Sequence, residues 1–160
     1  MTMAAVRLTE ECMHLISQFE SITGAGSRDC IVDPRNDRLI FVINPGEMGL
    51  AIGKGGSSVK RASEAIGMRI EVVEYSDNVE QFIRNCFLPA RVAGITFATN
   101  EDDEQVAIVE VEEADRGLAI GKEGKNIFKA KRLSQRQHGI ADIQLAEGDG
   151  VAGATSVTEE

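Results

Sequence analysis

The sequence predicts an α+β protein in which one unit, a three-stranded sheet packed against helices, occurs twice in tandem. Three observations carry that expectation. The octapeptide Gly49-Leu50-Ala51-Ile52-Gly53-Lys54-Gly55-Gly56 returns as Gly117-Leu118-Ala119-Ile120-Gly121-Lys122-Glu123-Gly124, with seven of eight identities 68 residues further on. The helical and strand periodicities on either side return in the same order. The length of 160 residues, with 42% hydrophobic and 27% charged side chains, fits one ordinary domain or two small ones. Composition does not choose between these, but the repeat favours two: residues 1–75 and 76–147, followed by a tail at 148–160. The tail is rich in Gly, Ala, Ser, Thr and Val without periodicity, and is expected to be disordered.

In the first copy, Thr9 can cap a helix whose first turn carries Glu10 and Glu11, well placed at the positive end of the helix dipole. Leu8, Cys12, Leu15, Ile16 and Phe19 then form one apolar stripe, and Gly24 and Gly26 end the helix. In the second copy Thr9 aligns with Asp77, which with Glu80 resembles a capping box. Val79, Phe82, Ile83, Cys86 and Phe87 make the matching stripe, and Pro89 stops it. Both helices are expected to pack on a sheet.

A two-strand signal follows each helix. Asp29–Val32 and Leu39–Ile43 flank the turn-rich Asp33-Pro34-Arg35-Asn36-Asp37, and Arg91–Thr99 and Val106–Val111 flank Asn100-Glu101-Asp102-Asp103-Glu104. A short helical segment then enters each glycine loop, a second helix leaves it, and a strand with period-two alternation closes the unit: Met68–Val72 and Ala141–Leu145. The closing strands align at 73 rather than 68, which places an extension of about five residues at Gln135–Gly139.

Composition also excludes classes. No apolar run approaches the roughly 20 residues of a membrane span, and Met1–Arg7 lacks the pattern of a secretory signal, so a cytoplasmic location without membrane partners is expected. Cys12, Cys30 and Cys86 are odd in number and without a CxxC pair, and read as buried reduced thiols. His14 and His138 offer no metal-ligand spacing. With no Trp, one Tyr and six Phe, there is little material for recognition by arrays of aromatic platforms. The formal net charge of −9 argues against a generic phosphate binder.

The glycine loops admit three readings. A nucleotide-binding P-loop needs GxxxxGK followed by Ser or Thr; here only three residues separate Gly49 from Gly53 and Gly117 from Gly121, and the lysines precede Gly55 and Glu123. No general base or metal constellation supports nucleotide hydrolysis, so neither enzymatic activity, a cofactor nor a small-molecule substrate is expected. A bare helix–helix turn would not account for the charge. From Gly49 to Arg69 the chain carries Lys54, Lys60, Arg61 and Arg69 against Glu64, and from Arg116 to His138 it carries Arg116, Lys122, Lys125, Lys129, Lys131, Arg132 and Arg136 against Glu123. The rest of the chain therefore holds 6 basic and 24 acidic residues. Lys129, Lys131 and Arg136 read equally well as a solvated helix face. A clamp for single-stranded RNA, with backbone N–H groups and lysines turned to phosphate, fits the loops best.

At these residues the chain resembles the K homology (KH) family. An aliphatic residue followed by I-G-x-x-G-x-x-[IV] is met by Ala51-Ile52-Gly53-Lys54-Gly55-Gly56-Ser57-Ser58-Val59 and by Ala119-Ile120-Gly121-Lys122-Glu123-Gly124-Lys125-Asn126-Ile127. The helix and strand that precede each motif resemble the type II arrangement. Two type II KH domains in direct tandem are similar to the archaeal NusA-like transcription factors, over roughly Leu8 to Ala146. The resemblance implies a loop that grips about four backbone nucleotides while bases lie in an apolar groove beside the loop helices. It implies RNA-binding roles for Ile52, Gly53, Lys54, Gly55, Gly56, Lys60 and Arg61 in the first copy. In the second it implies them for Ile120, Gly121, Lys122, Glu123, Gly124, Lys125 and Arg132. Val59, Ile70, Val72 and Ile127 are further groove candidates, with core packing the plainer role for Val59 and Ile127. Glu123 departs from the pattern, because a carboxylate in the loop repels phosphate. The implied activity is transcription elongation or termination, with single-stranded RNA and RNA polymerase as partners; RNA processing or ribosome assembly is the alternative.

Overall fold

The computed structural model describes residues 8–146, so the expected tail lies outside the described residues. They divide into two compact units, one running to Asp77 and the other starting at Asn78. The first unit opens with α1 (Glu10–Thr23), whose N-terminus is closed by Thr9 Oγ1 accepting from the Cys12 amide at 3.0 Å. Its C-terminus turns at Gly24 (φ 84°), whose amide returns to the Glu20 carbonyl. β1 (Ser27–Asp33) and β2 (Arg38–Ile43) pair antiparallel around a 3-10 turn at Pro34–Asn36, and β3 (Arg69–Glu74) lies parallel to β2 on its other side.

Every residue of β2 is buried, as its central position requires. Phe41 on β2 meets Phe19 on α1 in a stacked pair with ring centroids 4.4 Å apart. Ala25, Cys30, Leu39, Ile43, Ala51, Ala62 and Ile70 complete the buried cluster. Parallel strands cannot be joined by a hairpin, so β2 reaches β3 through a crossover, α2 (Met48–Ile52) and α3 (Ser57–Ile66). The repeated glycines form the bend in the middle of that crossover.

The second unit has the same order: α4 (Val79–Phe87), β4 (Val92–Thr99), β5 (Gln105–Val111), α5 (Arg116–Ile120), α6 (Lys125–His138) and β6 (Asp142–Leu145). β4 and β5 are antiparallel, β5 and β6 parallel. Three expectations need revision here. The cap of α4 is Asn78, not Asp77: Asn78 Oδ1 accepts from the Gln81 amide at 2.8 Å, while Asp77 accepts from the Tyr75 hydroxyl. The helix that was to lie on the sheet packs chiefly on α6, burying Phe82, Ile83, Cys86 and Phe87. The extension at Gln135–Gly139 adds a last turn to α6 before the Gly139 cap and lengthens this contact, with His138 5.3 Å from the Phe82 ring. Lys129 is buried on this same face of α6 instead of facing solvent.

All three cysteines are thiols, and burial pushes that of Cys86 up to about 12 and that of Cys30 higher still.

The first unit holds a buried ionic network with no counterpart among the described residues of the second. Arg38, 1% exposed, donates from Nε to Asp33 Oδ2 at 2.8 Å and from Nη1 to Glu71 Oε1 at 3.0 Å, while Asn36 donates to the same Asp33 carboxylate. In the register of the second sheet the corresponding positions are Ala98, Val106 and Gln144. Burial raises the Asp33 pKa, but the hydrogen bonds from Asn36 and Arg38 outweigh it and hold the carboxyl below its ordinary 3.8. A carboxylate depressed in the folded state adds stability that is present above its unfolded pKa and is lost as pH falls through the folded value. Arg38→Ala, which takes the guanidinium from two carboxylates, is expected to cost about 3 kcal/mol in urea denaturation at pH 7. Asp33→Asn should flatten the acid loss of stability below about pH 4. An unchanged acid profile in that variant would mean that the network does not set the acid limit.

Candidate nucleic-acid interface

Each glycine loop links a five-residue helix to a longer one, and the two copies trace one backbone path. Gly53 and Gly121 take φ 77°, ψ 171° and φ 79°, ψ 166°, a conformation that essentially only glycine adopts. Their freedom from a side chain is also needed for space. A Cβ on Gly53 would stand 2.7 Å from the Ser58 backbone nitrogen, and one on Gly121 would stand 2.7 Å from that of Asn126. The last glycines, Gly56 (φ 80°) and Gly124 (φ 76°), are left-handed in open space. Between them, Gly55 (φ 62°) is matched by Glu123 at φ 57°, so the second copy places a carboxylate residue in a left-handed conformation that the first gives to glycine.

The bends are closed by backbone bonds from Gly56 to the Gly53 carbonyl at 3.1 Å and from Gly124 to the Gly121 carbonyl at 3.0 Å. No side chain caps α3 or α6. The Ser57 and Lys125 amides that open these helices donate to the Lys54 and Lys122 carbonyls, no side chain meets the amides that follow, and the positive end of each helix dipole lies at the loop. Lys54 and Lys122 are exposed beside them. An anion is the natural complement of that arrangement.

The short helices are anchored by a device that the sequence reading missed. Glu47, immediately before α2, accepts from the Gly26 amide through Oε1 at 2.6 Å. Asp115, immediately before α5, accepts from the Arg91 amide at 2.9 Å and from Arg91 Nε at 3.1 Å through Oδ2. Gly26 and Arg91 each precede the first strand of their sheet, so the same carboxylate staple ties the loop helix to the sheet in both units. The Arg91 amide and then its guanidinium hold the Asp115 carboxyl below its ordinary value. The available signal was an acid two residues ahead of both octapeptides.

The expected site residues separate into groups. Ile52 and Ile120 are each 38% exposed at the entrances to the loops, and Lys54, Gly55, Lys122 and Glu123 are exposed on them. Gly53, Gly56, Gly121, Gly124 and Lys125 are half-buried. Lys60 and Arg132 are exposed on the helices that leave the loops. Arg61 is turned elsewhere: its Nη2 donates to the Ile22 carbonyl near the end of α1 at 2.7 Å. Lys131 pairs with Asp142 at 3.4 Å. Ile70 belongs to the core, and Val59 and Val72 are half-buried and pack against it. Leu50 and Leu118, not foreseen as surface residues, are 52% and 50% exposed at matching positions on α2 and α5. Each unit thus presents apolar and cationic groups around one bend.

Comparison with known proteins agrees with this architecture. Residues 16–88 match the family model described as KH domain, and residues 79–147 match the NusA-like second KH domain. The chain is 41% identical over 141 residues to the "Probable transcription termination protein NusA" of Halococcus morrhuae, covering 88% of this chain and 99% of that one. The protein of the same name from Halobacterium salinarum is 42% identical over 140 residues, covering 88% and 98%. That of Methanocaldococcus jannaschii is 34% identical over 143 residues, covering 89% and 76%. Among solved structures, the crystal structure of APE1850 superposes with a TM-score of 0.78 at 39% identity, covering 86% of this chain and 99% of that one. With two KH domains in tandem and relatives this similar over most of its length, the chain belongs to the archaeal NusA-like family.

Proposed function

We propose that this protein binds single-stranded RNA through both G-x-x-G loops and acts with RNA polymerase in transcription elongation or termination. The observation that carries the RNA reading is the pair of uncapped helix N-termini, α3 and α6, each behind a glycine bend with an exposed lysine. Two amide-lined cradles beside cations suit a phosphodiester backbone, and Ile52 and Ile120 beside them suit bases. Nothing in either loop is arranged for catalysis: the side chains are lysines, serines and one exposed glutamate, with no nucleophile–base pair. The transcriptional role follows from the relatives that carry the name of transcription termination protein NusA. RNA polymerase retained from a cell extract by the tagged chain supports that role, whereas retention of ribosomal precursors alone contradicts it.

The RNA reading is tested by measuring the affinity for a short single-stranded RNA across a salt series. The double variant Lys54→Asp, Gly55→Asp should weaken binding at least tenfold and lower the slope of log K against log salt by about 0.7 for each phosphate that is no longer neutralised. It should also stay folded, because position 55 is open and Glu123 already takes the same conformation in the second copy. Binding that does not change removes the first loop from the site; Lys122→Asp tests the second in the same way.

Glycine substitutions separate shape from charge. Gly55→Ala is expected to cost about 1 kcal/mol of stability. Gly53→Ala should cost distinctly more, since its Cβ would press on the Ser58 backbone, and RNA affinity should fall with the bend. Equal thermal midpoints for the two variants would contradict that ordering.

A further inference from the structure

Phe128 is the one exposed phenylalanine among the described residues, at 36%; the other five phenylalanines and Tyr75 are buried or half-buried. It is the fourth residue of α6, one turn beyond the loop, and Lys60 is the fourth residue of α3. The first unit therefore carries an exposed cation where the second carries an exposed aromatic face. A second, independent difference is in the loop: the position given to Gly55 holds Glu123 in the second copy, in a left-handed conformation that favours glycine. At these two positions the second copy loses a positive charge and gains a negative one, while Lys125 and Arg132, standing where the first copy has Ser57 and Glu64, keep its loop helix basic. What the second surface offers in exchange is a flat apolar ring, with Lys125 and Arg132 one turn away on the same helix and Leu118 and Ile120 exposed on α5, which packs against α6. A ring exposed at such a place is matched by the face of a nucleobase, since every base has a π-face and stacking tolerates any sequence.

We infer that Phe128 is a stacking platform for a nucleobase, so that the second unit adds a base-face contact to the phosphate charge that both loops offer. This deepens the RNA-binding reading and rests on it. That contact is distinguishable from phosphate binding in salt dependence, because stacking releases no counterions.

The test uses the full chain and a mixed-sequence single-stranded RNA of about 12 nucleotides, together with a set of the same RNA carrying one abasic nucleotide at each position in turn. Phe128→Ala should weaken binding about tenfold with an unchanged salt slope, and Phe128→Leu, which keeps the apolar bulk but not the π-face, should do the same. Phe128→Tyr should bind as the unaltered chain does. Lys60→Ala should instead lower the slope by about 0.7. One abasic position should weaken binding of the unaltered chain and leave Phe128→Ala indifferent. The proposal is overturned if Phe128→Leu retains full affinity, if the weaker binding of Phe128→Ala comes with a changed slope, or if the abasic series is identical for both proteins. Failure of the unaltered chain to bind any RNA in the set would sink the RNA reading itself, a different outcome. Thermal midpoints of all the variants keep folding out of the comparison: each is expected to stay folded at the assay temperature, with Phe128→Ala melting somewhat earlier because the ring is partly covered.

Discussion

The parallel pairing of β2 with β3, and of β5 with β6, is the constraint on which the rest of each unit depends. An antiparallel pair closes with a few residues, but a parallel pair needs the chain to return to the same end of the sheet before it can pair. Here the return is made by two helices with a sharp bend between them, and the bend is where the glycines stand. Its tightness follows from packing: the start of the second helix comes so near the first glycine that a Cβ would meet backbone at 2.7 Å in both copies. A topological demand of the sheet thus becomes a loop with bare backbone, lodged at the positive end of a helix. The carboxylate staples from Glu47 and Asp115 serve the same end, because a five-residue helix has little stability of its own.

Two copies of one backbone can diverge in chemistry without diverging in shape. The loop residues Gly53, Gly55 and Gly56 have nearly the φ angles of Gly121, Glu123 and Gly124, yet one loop is neutral apart from its lysine and the other carries a carboxylate. The interiors differ as well. The first unit encloses the Asp33–Arg38–Glu71 network at one end of its sheet, and the second fills the same register with apolar or uncharged residues. A buried ionic network is weak evidence for net stability, because desolvation offsets much of the attraction. What it does impose is a steep cost on losing any one member. The second unit gains its helix packing another way, through the added turn of α6 against α4.

The repeat made the fold unusually readable from sequence. Stripes at helical spacing, a turn-rich hairpin tip and alternating closing strands each appeared twice, and coincidence in both copies removed most of the usual ambiguity between helix and strand. Local signals failed where tertiary partners decide. Asp77 and Asn78 are equally good caps by residue type, and the choice fell to Asn78 because Asp77 is engaged by the Tyr75 hydroxyl. Lys129 looked like part of a solvated basic face, but it is buried near Cys86. Arg61 sat in the basic run beside the loop, yet a carbonyl near the end of α1, distant in sequence, takes its guanidinium. The loop bends, by contrast, were legible because glycine reports a local backbone requirement. The exposure of Phe128 was not, since an apolar residue in a helix is by default assigned to the core.

The net charge of −9 takes on a different meaning once the acids are located. Asp33 and Glu71 are paired with a buried guanidinium, and Glu47 and Asp115 accept backbone amides at the feet of the loop helices. These four carboxylates are structural, and none is simply a repulsive surface charge toward RNA. Cations are concentrated where the chain bends: Lys54 and Lys122 on the loops, Lys60, Lys125 and Arg132 on the helices that leave them. In salt near physiological strength a charge acts over roughly 8 Å, so a ligand at a loop responds to those local cations far more than to the average of the molecule. Weak overall attraction also means that phosphate alone is a poor reason to stay bound. Selective retention must then come from short-range contacts beside the loops, which is the setting in which an exposed ring at Phe128 has most to contribute.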